Sequence, residues 1–190
     1  MRSGWSSDKG SPAERQKAMS IPRRVDQIAW DDWVGQDPAT LVFIIRGGQM
    51  LLIRKMRGLG AGKINAPGGR IEPGETPLQC AVREVEEELC TTPVSLEWCG
   101  ENRFQFVDGY SIHVQIYRAD GCDRAPRATD EAIPLWVPLD AIPYDQMWAD
   151  DPLWLPLVIA RRRFSGRFIF DGDAMLDHAV DLLPSSGEAL

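Results

Sequence analysis

This 190-residue sequence lacks long apolar runs, a basic excess and closely spaced cysteines. No apolar run reaches the roughly 18 to 20 residues that span a bilayer, and the first residues lack the apolar stretch of a secretory signal. With 28 acidic and 21 basic side chains, the net charge of −7 argues against binding to nucleic-acid backbones or anionic membranes. We therefore expect a soluble, cytoplasmic protein that binds neither a nucleic-acid polymer nor a membrane.

The cysteines also exclude one kind of site. The four of them are separated by 10, 9 and 23 positions, so no C-x-x-C zinc or redox pattern is present. Reduced thiols in a cytosol are the simplest interpretation of Cys80, Cys90, Cys99 and Cys122.

The length fits one domain, preceded by a segment of different composition. Residues 1–20 are polar and without period, which is typical of a flexible tail. The next residues carry Trp30 and Trp33 among acids, enough to dock on the body of the protein. We expect a flexible extension over residues 1–37, a domain over 38–183 and a tail over 184–190.

Apolar patterns predict several strands. Residues 40–45 and 49–54 are continuously apolar on either side of Gly47 and Gly48, which indicates a hairpin buried on both faces. Further strands are predicted over residues 94–106, 110–118, 135–138 and 167–170, the first two antiparallel.

Three helices are predicted among these strands, giving a mixed α/β fold. The first follows Thr76, a suitable N-cap, and Pro77, with apolar residues recurring at Leu78, Val82, Val85 and Leu89. A second begins at Asp151 and Pro152 and reaches about residue 163, and a third covers residues 173–183.

The first helix carries an unusual group of acids. On a wheel with Glu84 at zero, Glu87 falls at about −60° and Glu88 at about +40°, so three carboxylates share one face. Like charges at this spacing repel by a few tenths of a kcal/mol each, which indicates a compensating cation. Oxygen ligands favour a hard divalent ion such as Mg²⁺. A merely solvated acidic face is the alternative for the helix alone.

The acids belong to a longer string. It runs Gly69, five residues, Glu75, seven residues, Arg83 and Glu84, two residues, then Glu87 and Glu88. This string resembles the signature of the Nudix hydrolases, which cut nucleoside diphosphates linked to another moiety. The resemblance implies an α/β/α sandwich with a mixed, partly antiparallel, curved sheet, and Mg²⁺ as cofactor, with Mn²⁺ possible.

One departure from the signature lies at its end, where Cys90 and Thr91 replace a glycine and an aliphatic residue. The resemblance implies that the glycine of the signature is left-handed, a conformation that costs a non-glycine residue roughly 1 to 2 kcal/mol. A reshaped helix end is therefore expected, with the metal ligands unaffected.

The resemblance also implies catalytic roles. Glu84 and Glu88 correspond to the principal metal ligands, Glu87 to an additional one and the Gly68 carbonyl to a backbone ligand. Arg83 and Glu75 are expected to pair and hold the loop against the helix. Glu88 is the first choice for the base that accepts a proton from the attacking water, and Glu131 is the second.

A longer similarity covers about residues 40–180 and points to the branch of this family that hydrolyses oxidised purine nucleoside triphosphates in animals. It implies a purine gripped by Asn65, Asp150 and Asp151 and stacked on Trp148. The further pocket residues that it implies are Thr40, Leu59 and Phe104, and Lys55 is among the basic groups available to phosphates.

The neighbouring carboxylates of Asp150 and Asp151 are expected to share one proton, giving one donor and one acceptor. Two of the predicted binding residues also have a purely structural alternative, since Asp151 is a good N-cap and Trp148 is a good core residue. The expected activity is the Mg²⁺-dependent conversion of oxidised purine nucleoside triphosphates to monophosphate and pyrophosphate by a monomer, which removes damaged nucleotides from the pool. Two alternatives remain: a Nudix hydrolase of ADP-ribose or a dinucleoside polyphosphate, and a nucleotide-binding module without turnover.

Overall fold

The computed structural model describes residues 21–184, which form one mixed sheet with a helix on each face. The strands and helices in chain order are β1 (Asp37–Arg46), β2 (Gln49–Lys55), β3 (Ile64–Asn65), α1 (Pro77–Leu89), β4 (Pro93–Val94), β5 (Glu97–Phe106), β6 (Ser111–Ala119), β7 (Gly121–Cys122), β8 (Ala132–Pro138), α2 (Asp151–Ile159), β9 (Phe164–Asp171) and β10 (Ala174–Leu182). Short 3-10 turns cover Val25–Gln27 and Tyr144–Gln146.

Eight strands form the main sheet in the order β10-β9-β5-β6-β1-β2-β3, with β8 also paired to β2. The pairs β1–β6 and β5–β9 are parallel, and the others are antiparallel. Strands β4 and β7 form a separate two-stranded ribbon. The expected mixed, partly antiparallel sheet is confirmed.

The two faces of the sheet bury separate cores. On one face, Val85 and Leu89 of α1 pack with Val42 and Ile44 of β1. On the other face, residues of α2 pack with the alternate residues of the central strands, including Phe43, Phe164 and Phe168. Because successive strand side chains point to opposite faces, one continuously apolar strand serves both cores. The sandwich of helix, sheet and helix is therefore confirmed.

Local sequence patterns correctly predicted the first hairpin and the start of α1. The hairpin turns at Gly47 and Gly48, both with positive φ. Thr76 is the N-cap of α1 and its hydroxyl accepts a hydrogen bond from the backbone N–H of Gln79, with Pro77 at the first helical position. Both predictions are confirmed.

The predicted apolar stripe of α1 is wrong in its first turn. Leu78 is 49% exposed, whereas Cys80 and Ala81 are buried with Val85 and Leu89. The buried face is therefore rotated relative to the prediction, and it includes Glu88.

The end of α1 keeps the left-handed conformation that was expected only for the glycine of the signature. Cys90 has φ 55° and ψ 35°, and its N–H donates to the Glu86 carbonyl. Thr91 is buried, and its hydroxyl donates to Asp123 Oδ1 and to the Arg124 carbonyl, both at 2.9 Å. The helix thus accepts the left-handed residue, and the expectation of a reshaped end is not met.

Two other helix predictions need correction. Residues 173–183 are not helical, because β10 pairs antiparallel with β9 along Ala174–Leu182 after a tight turn at Gly172. Helix α2 ends at Ile159, four residues before the predicted end, because Arg161 takes a left-handed conformation and β9 begins at Phe164. No helix within residues 21–184 is long and apolar enough to cross a membrane.

The segment before β1 packs on the sheet beside α1. Trp30 is buried and its ring lies 5.4 Å from that of Trp33, whose indole N–H donates to Gln105. Residues 1–20, for which we predicted a flexible tail, and residues 185–190 of the predicted C-terminal tail lie outside the described residues.

Candidate active site

The glycine-rich loop before α1 passes very close to β1. Gly68 has φ 152°, and a Cβ atom there would overlap the Thr40 carbonyl oxygen. A Cβ on Gly69 would overlap the Glu84 carboxylate. Only glycine therefore permits the loop to lie against both β1 and the acidic helix. The close approach places the Gly68 backbone beside the carboxylates of α1.

Glu88 is the buried member of the acidic group, with a side chain that is 2% exposed. One carboxylate oxygen accepts from the Gly68 N–H at 3.0 Å, and the other lies 3.3 Å from Lys55 Nζ. Burial raises the pKa of Glu88 above its ordinary value, and Lys55 and the Gly68 N–H oppose that shift. A buried carboxylate with one cationic partner is suited to hold a further positive charge.

Arg83 connects the other carboxylates. Its guanidinium binds Glu75 through two hydrogen bonds of 2.8 and 2.9 Å, which confirms the predicted pairing. It also donates to Glu84 at 2.8 Å and Glu87 at 3.0 Å. The bonds from Arg83 lower the pKa of Glu75 to about 2. Burial raises the pKa of Glu84 despite Arg83.

The donor set fits a hard divalent cation in charge and chemistry. Four carboxylates, those of Glu75, Glu84, Glu87 and Glu88, face two cations, Arg83 and Lys55, which leaves two negative charges when all are ionised. All the candidate ligands are oxygens. Within residues 21–184 no three acidic, histidine or cysteine side chains are already gathered around one point.

A cavity of about 400 Å³ lies beside this group and extends to the start of α2. Near the acidic group its wall contains Lys55, Gly68 and Gly69. Its other walls bring together the predicted residues Thr40, Leu59, Asn65, Phe104, Glu131, Trp148, Asp150 and Asp151. Residues from five separate stretches of the chain thus meet around one space.

Asp150 and Asp151 are each 2% exposed, although both are acids. Asp150 accepts from the indole N–H of Trp154 at 2.8 Å, and Asp151 accepts from the backbone N–H of Trp148 at 2.9 Å. Burial raises the pKa of both carboxyls, and the neighbouring charge of Asp150 raises that of Asp151 further. One oxygen of each side chain remains to face the cavity.

The remaining predicted binding residues differ in what they offer. Asn65 uses its side-chain oxygen to accept from the Ala66 N–H at 2.8 Å, which leaves its amide N–H groups for the cavity. Phe104 stacks on Phe168 at 5.1 Å. Leu59 is 51% exposed at the cavity wall. Thr40 is buried, and its hydroxyl lies 3.3 Å from the thiol of Cys80 on α1.

Glu131 lies in the loop before β8. Its side chain is half exposed and sits 3.6 Å from Arg57, which also lines the cavity. Glu131 is therefore close to the cavity wall but less buried than Glu88.

Two cavity residues share a contact with Asp37 that the sequence pattern did not predict. Arg70 lies 2.7 Å from Asp37, and the Tyr110 hydroxyl donates to the same carboxylate oxygen at 2.8 Å. Arg70 and Tyr110 both line the cavity. The group depends on the parallel pairing of β1 with β6, which no local spacing reveals. By contrast, the bond between Trp154 and Asp150 joins residues four apart at the start of a helix, a spacing that a search for i, i+4 pairs would find.

Comparison with known proteins places this arrangement in a family. The NUDIX domain matches residues 35–158. Over 144 residues the chain is 43% identical to the oxidized purine nucleoside triphosphate hydrolase of Danio rerio, covering 75% of this chain and 92% of that protein. The enzyme of the same description from Mus musculus is 36% identical over 143 residues, with 74% and 92% covered.

The fold agrees with a solved structure. The crystal structure of the MutT protein from Bacillus halodurans superposes with a TM-score of 0.69 over 76% of this chain and 97% of that one, at 24% identity. The matched region includes the glycine loop, the acidic helix and the start of α2. The chain therefore belongs to the NUDIX domain family.

Proposed function

We propose that this protein hydrolyses purine nucleoside triphosphates, including those with oxidised bases, to the monophosphate and pyrophosphate. One observation carries the proposal: a single cavity joins two buried, neighbouring acids to the loop and lysine that contact the acidic helix. The two acids are suited to bind the edge of a base, and the loop and the lysine lie where metal-bound phosphates would be held. The relatives named as hydrolases of oxidized purine nucleoside triphosphates support the same substrate class.

The base end of the cavity would read a purine through hydrogen bonds. If the carboxyls of Asp150 and Asp151 hold one proton between them, they present one donor and one acceptor. Transfer of that proton between them would let the pair match either a guanine-like or an adenine-like edge. The Asn65 amide supplies further donors, and the indole of Trp148 supplies a surface for stacking.

The phosphate end requires a cation, since carboxylates repel phosphates. NUDIX hydrolases generally use divalent metals. We propose Mg²⁺, with Mn²⁺ as a substitute, held by Glu84, Glu87, Glu88 and the Gly68 carbonyl. Such an ion, when bound, neutralises charge on phosphate oxygens and makes a bound water more acidic. Lys55, Arg57 and Arg70 line the same cavity and would hold phosphate oxygens directly.

Glu88 is our first candidate for the proton acceptor. Its carboxylate is oriented by the Gly68 N–H, and its burial raises the pKa toward the range in which a base is effective. Arg83, bound to Glu75, would act by holding the acids of the helix and the loop in register. Glu131 is the second candidate, because it lines the cavity and its side chain is half exposed to solvent.

Such an activity would remove oxidised precursors before a polymerase incorporates them, and so prevent DNA damage. The four cysteines are free thiols, consistent with the cytoplasm as the proposed compartment. We propose a monomer whose catalytic domain spans residues 38–183, with residues 1–37 as an extension and 184–190 as a tail.

The test is an assay of monophosphate and pyrophosphate release from a panel of ordinary and 8-oxidised purine triphosphates, pyrimidine triphosphates and ADP-ribose, with Mg²⁺ or Mn²⁺. We expect release from purine triphosphates in the presence of metal only. Hydrolysis of ADP-ribose in preference to triphosphates would contradict the proposed substrate, and the absence of any release would favour a binding module.

Variants of the acidic pair add a second measurement to the panel. Asp150→Asn and Asp151→Asn each fix one donor and remove the shared proton, so the ratio of rates on guanine-like and adenine-like substrates should change. The Mg²⁺ concentration for half-maximal rate should not change. Equal losses on every substrate would count against a pair that reads the base.

A further inference from the structure

A cation lies over the indole ring of Trp148. Lys63 Nζ lies 4.8 Å from the centre of the ring. The same ammonium lies 2.9 Å from the carboxylate of Asp173, in the turn between β9 and β10. Trp148 lines the cavity, whereas Lys63 does not.

The backbone around Lys63 holds it against the indole. The Lys63 N–H donates to the Gly60 carbonyl at 2.9 Å, and its carbonyl accepts from the Lys55 N–H at 3.1 Å. Gly60 itself passes so close to Trp148 that a Cβ there would lie 3.1 Å from the indole nitrogen. The loop therefore packs on the ring through both a backbone edge and a charged side chain.

Trp148 has two further kinds of contact, a backbone hydrogen bond and packing against the apolar core. Its backbone N–H is bound by Asp151, but that bond fixes the main chain and not the side-chain torsions. Phe170 meets the indole perpendicularly at 5.9 Å. Lys63 is the charged side chain that lies over the ring.

We infer that Lys63, with Asp173 as its counterion, is a positioning residue that holds Trp148 as the flat wall on which a purine stacks, and that it thereby sets the preference for purines over pyrimidines. The inference rests on the proposed function, because it assigns the base to the Trp148 wall. A bicyclic purine overlaps an indole over a larger area than a pyrimidine does, so a tilted ring weakens purine binding more.

The charge of Lys63 is needed as well as its length. A cation over an indole gains most when it is shielded from water, and the Lys63 side chain is about three-quarters buried. Asp173 keeps the ammonium in place without covering the ring. A side chain of similar length without charge would pack there and yet lose the attraction to the ring.

The experiment compares Lys63→Met, which keeps the length, with Lys63→Arg, which keeps the charge. Arg163→Met is the matched control, because Arg163 lies 5.6 Å over the ring of Trp98, away from the cavity. Binding of deoxyguanosine and deoxycytidine monophosphates is measured by calorimetry without metal. Hydrolysis of the corresponding triphosphates is measured with Mg²⁺.

For Lys63→Met we expect the Kd of deoxyguanosine monophosphate and the KM of its triphosphate to rise about threefold to tenfold. The values for cytidine nucleotides and the kcat on both substrates should change less than about twofold, since the carboxylates of α1 are untouched. Lys63→Arg should restore purine binding, and Arg163→Met should match the parent protein.

Equal weakening of purine and pyrimidine binding, unchanged binding in Lys63→Met, or the same loss in Arg163→Met would each overturn the inference. So would failure of the parent protein to bind the purine monophosphate. Purine binding that depends on Lys63 without hydrolysis of any triphosphate would contradict the proposed activity alone and leave the role of Lys63 supported.

Discussion

The buried carboxylate of Glu88 accepts a hydrogen bond from the backbone N–H of Gly68, twenty residues earlier in the chain, at 3.0 Å. Lys55 occupies the other oxygen at 3.3 Å. The first bond comes from a main chain that cannot move without disturbing β1, whereas the second comes from a flexible side chain. Glu88 is thus oriented by a rigid donor and neutralised by a movable one, which is suitable for a group that must accept a proton or a metal.

Replacing Glu88 by Gln tests this role. The amide oxygen can still accept from the Gly68 N–H, so the fold should persist, but the side chain can no longer accept a proton. We expect the rate of pyrophosphate release to fall about 10²-fold to 10⁴-fold. Glu86→Gln is the control, because Glu86 lies on the same helix with an exposed side chain bonded to Thr92. Similar rates for Glu88→Gln and the parent protein would favour Glu131 as the base.

The contact between the glycine loop and β1 predicts a large penalty for Gly68→Ala. The new methyl group would overlap the Thr40 carbonyl, and the backbone has a positive φ. We expect a loss of about 2–4 kcal/mol in the free energy of unfolding, measured by urea denaturation, together with a loss of activity. In Gly121→Ala the methyl group would meet only Arg46 Cδ at 3.7 Å, and the stability should hardly change.

The left-handed residue at the end of α1 predicts a stabilising substitution. Cys90→Gly removes the steric cost of a Cβ at φ 55° but adds freedom to the unfolded chain. We expect a net gain of about 0.5–1 kcal/mol and a Tm higher by about 1–4 °C. Cys90→Ala keeps the Cβ and removes only the thiol, so it should give no such gain. A gain of equal size in the alanine variant would mean that removing the thiol, and not removing the Cβ, raises the stability.

The buried acids predict a stability that depends on pH. Burial raises the pKa of Asp151 in the folded state, so folding favours the protonated carboxyl. The free energy of unfolding therefore falls as the pH rises and Asp151 must ionise in its buried position. The amide of Asp151→Asn carries no charge at any pH and can still accept from the Trp148 N–H. We expect the variant to be more stable than the parent protein by about 1–3 kcal/mol at pH 8 and by much less at pH 5. Thermal unfolding at several pH values measures the difference. If the difference in the free energy of unfolding between the variant and the parent protein stayed constant across this pH range, Asp151 would not titrate with a raised pKa.

Short-range features of this protein could be predicted because neighbouring residues create them. Thr76 and Pro77 start α1, and two glycines turn the first hairpin. In each case the groups that satisfy the backbone lie within a few residues. The spacing of Glu84, Glu87 and Glu88 likewise placed them on one helix from the sequence alone.

Long-range features were mispredicted or missed. Residues 174–182 have a mixed pattern that fits a helix as well as a strand, and only the available edge of β9 makes them β10. Leu78 was expected inside and lies outside, because the tertiary packing of α1 buries Cys80 and Ala81 instead. The chain could not reveal that Asp173, in the turn after β9, reaches Lys63 more than a hundred residues earlier.

The sequence by itself determined which chemical groups are available to this protein: three carboxylates on one helix, a glycine loop before it and a pair of adjacent acids. Tertiary structure alone decided which acids are buried, which are bound by Arg83 or Lys55, and that the acidic pair opens into the cavity beside the glycine loop. The reason is physical. The identity and spacing of side chains are local properties, whereas burial, pKa and the shape of a cavity depend on the surfaces that distant segments bring together.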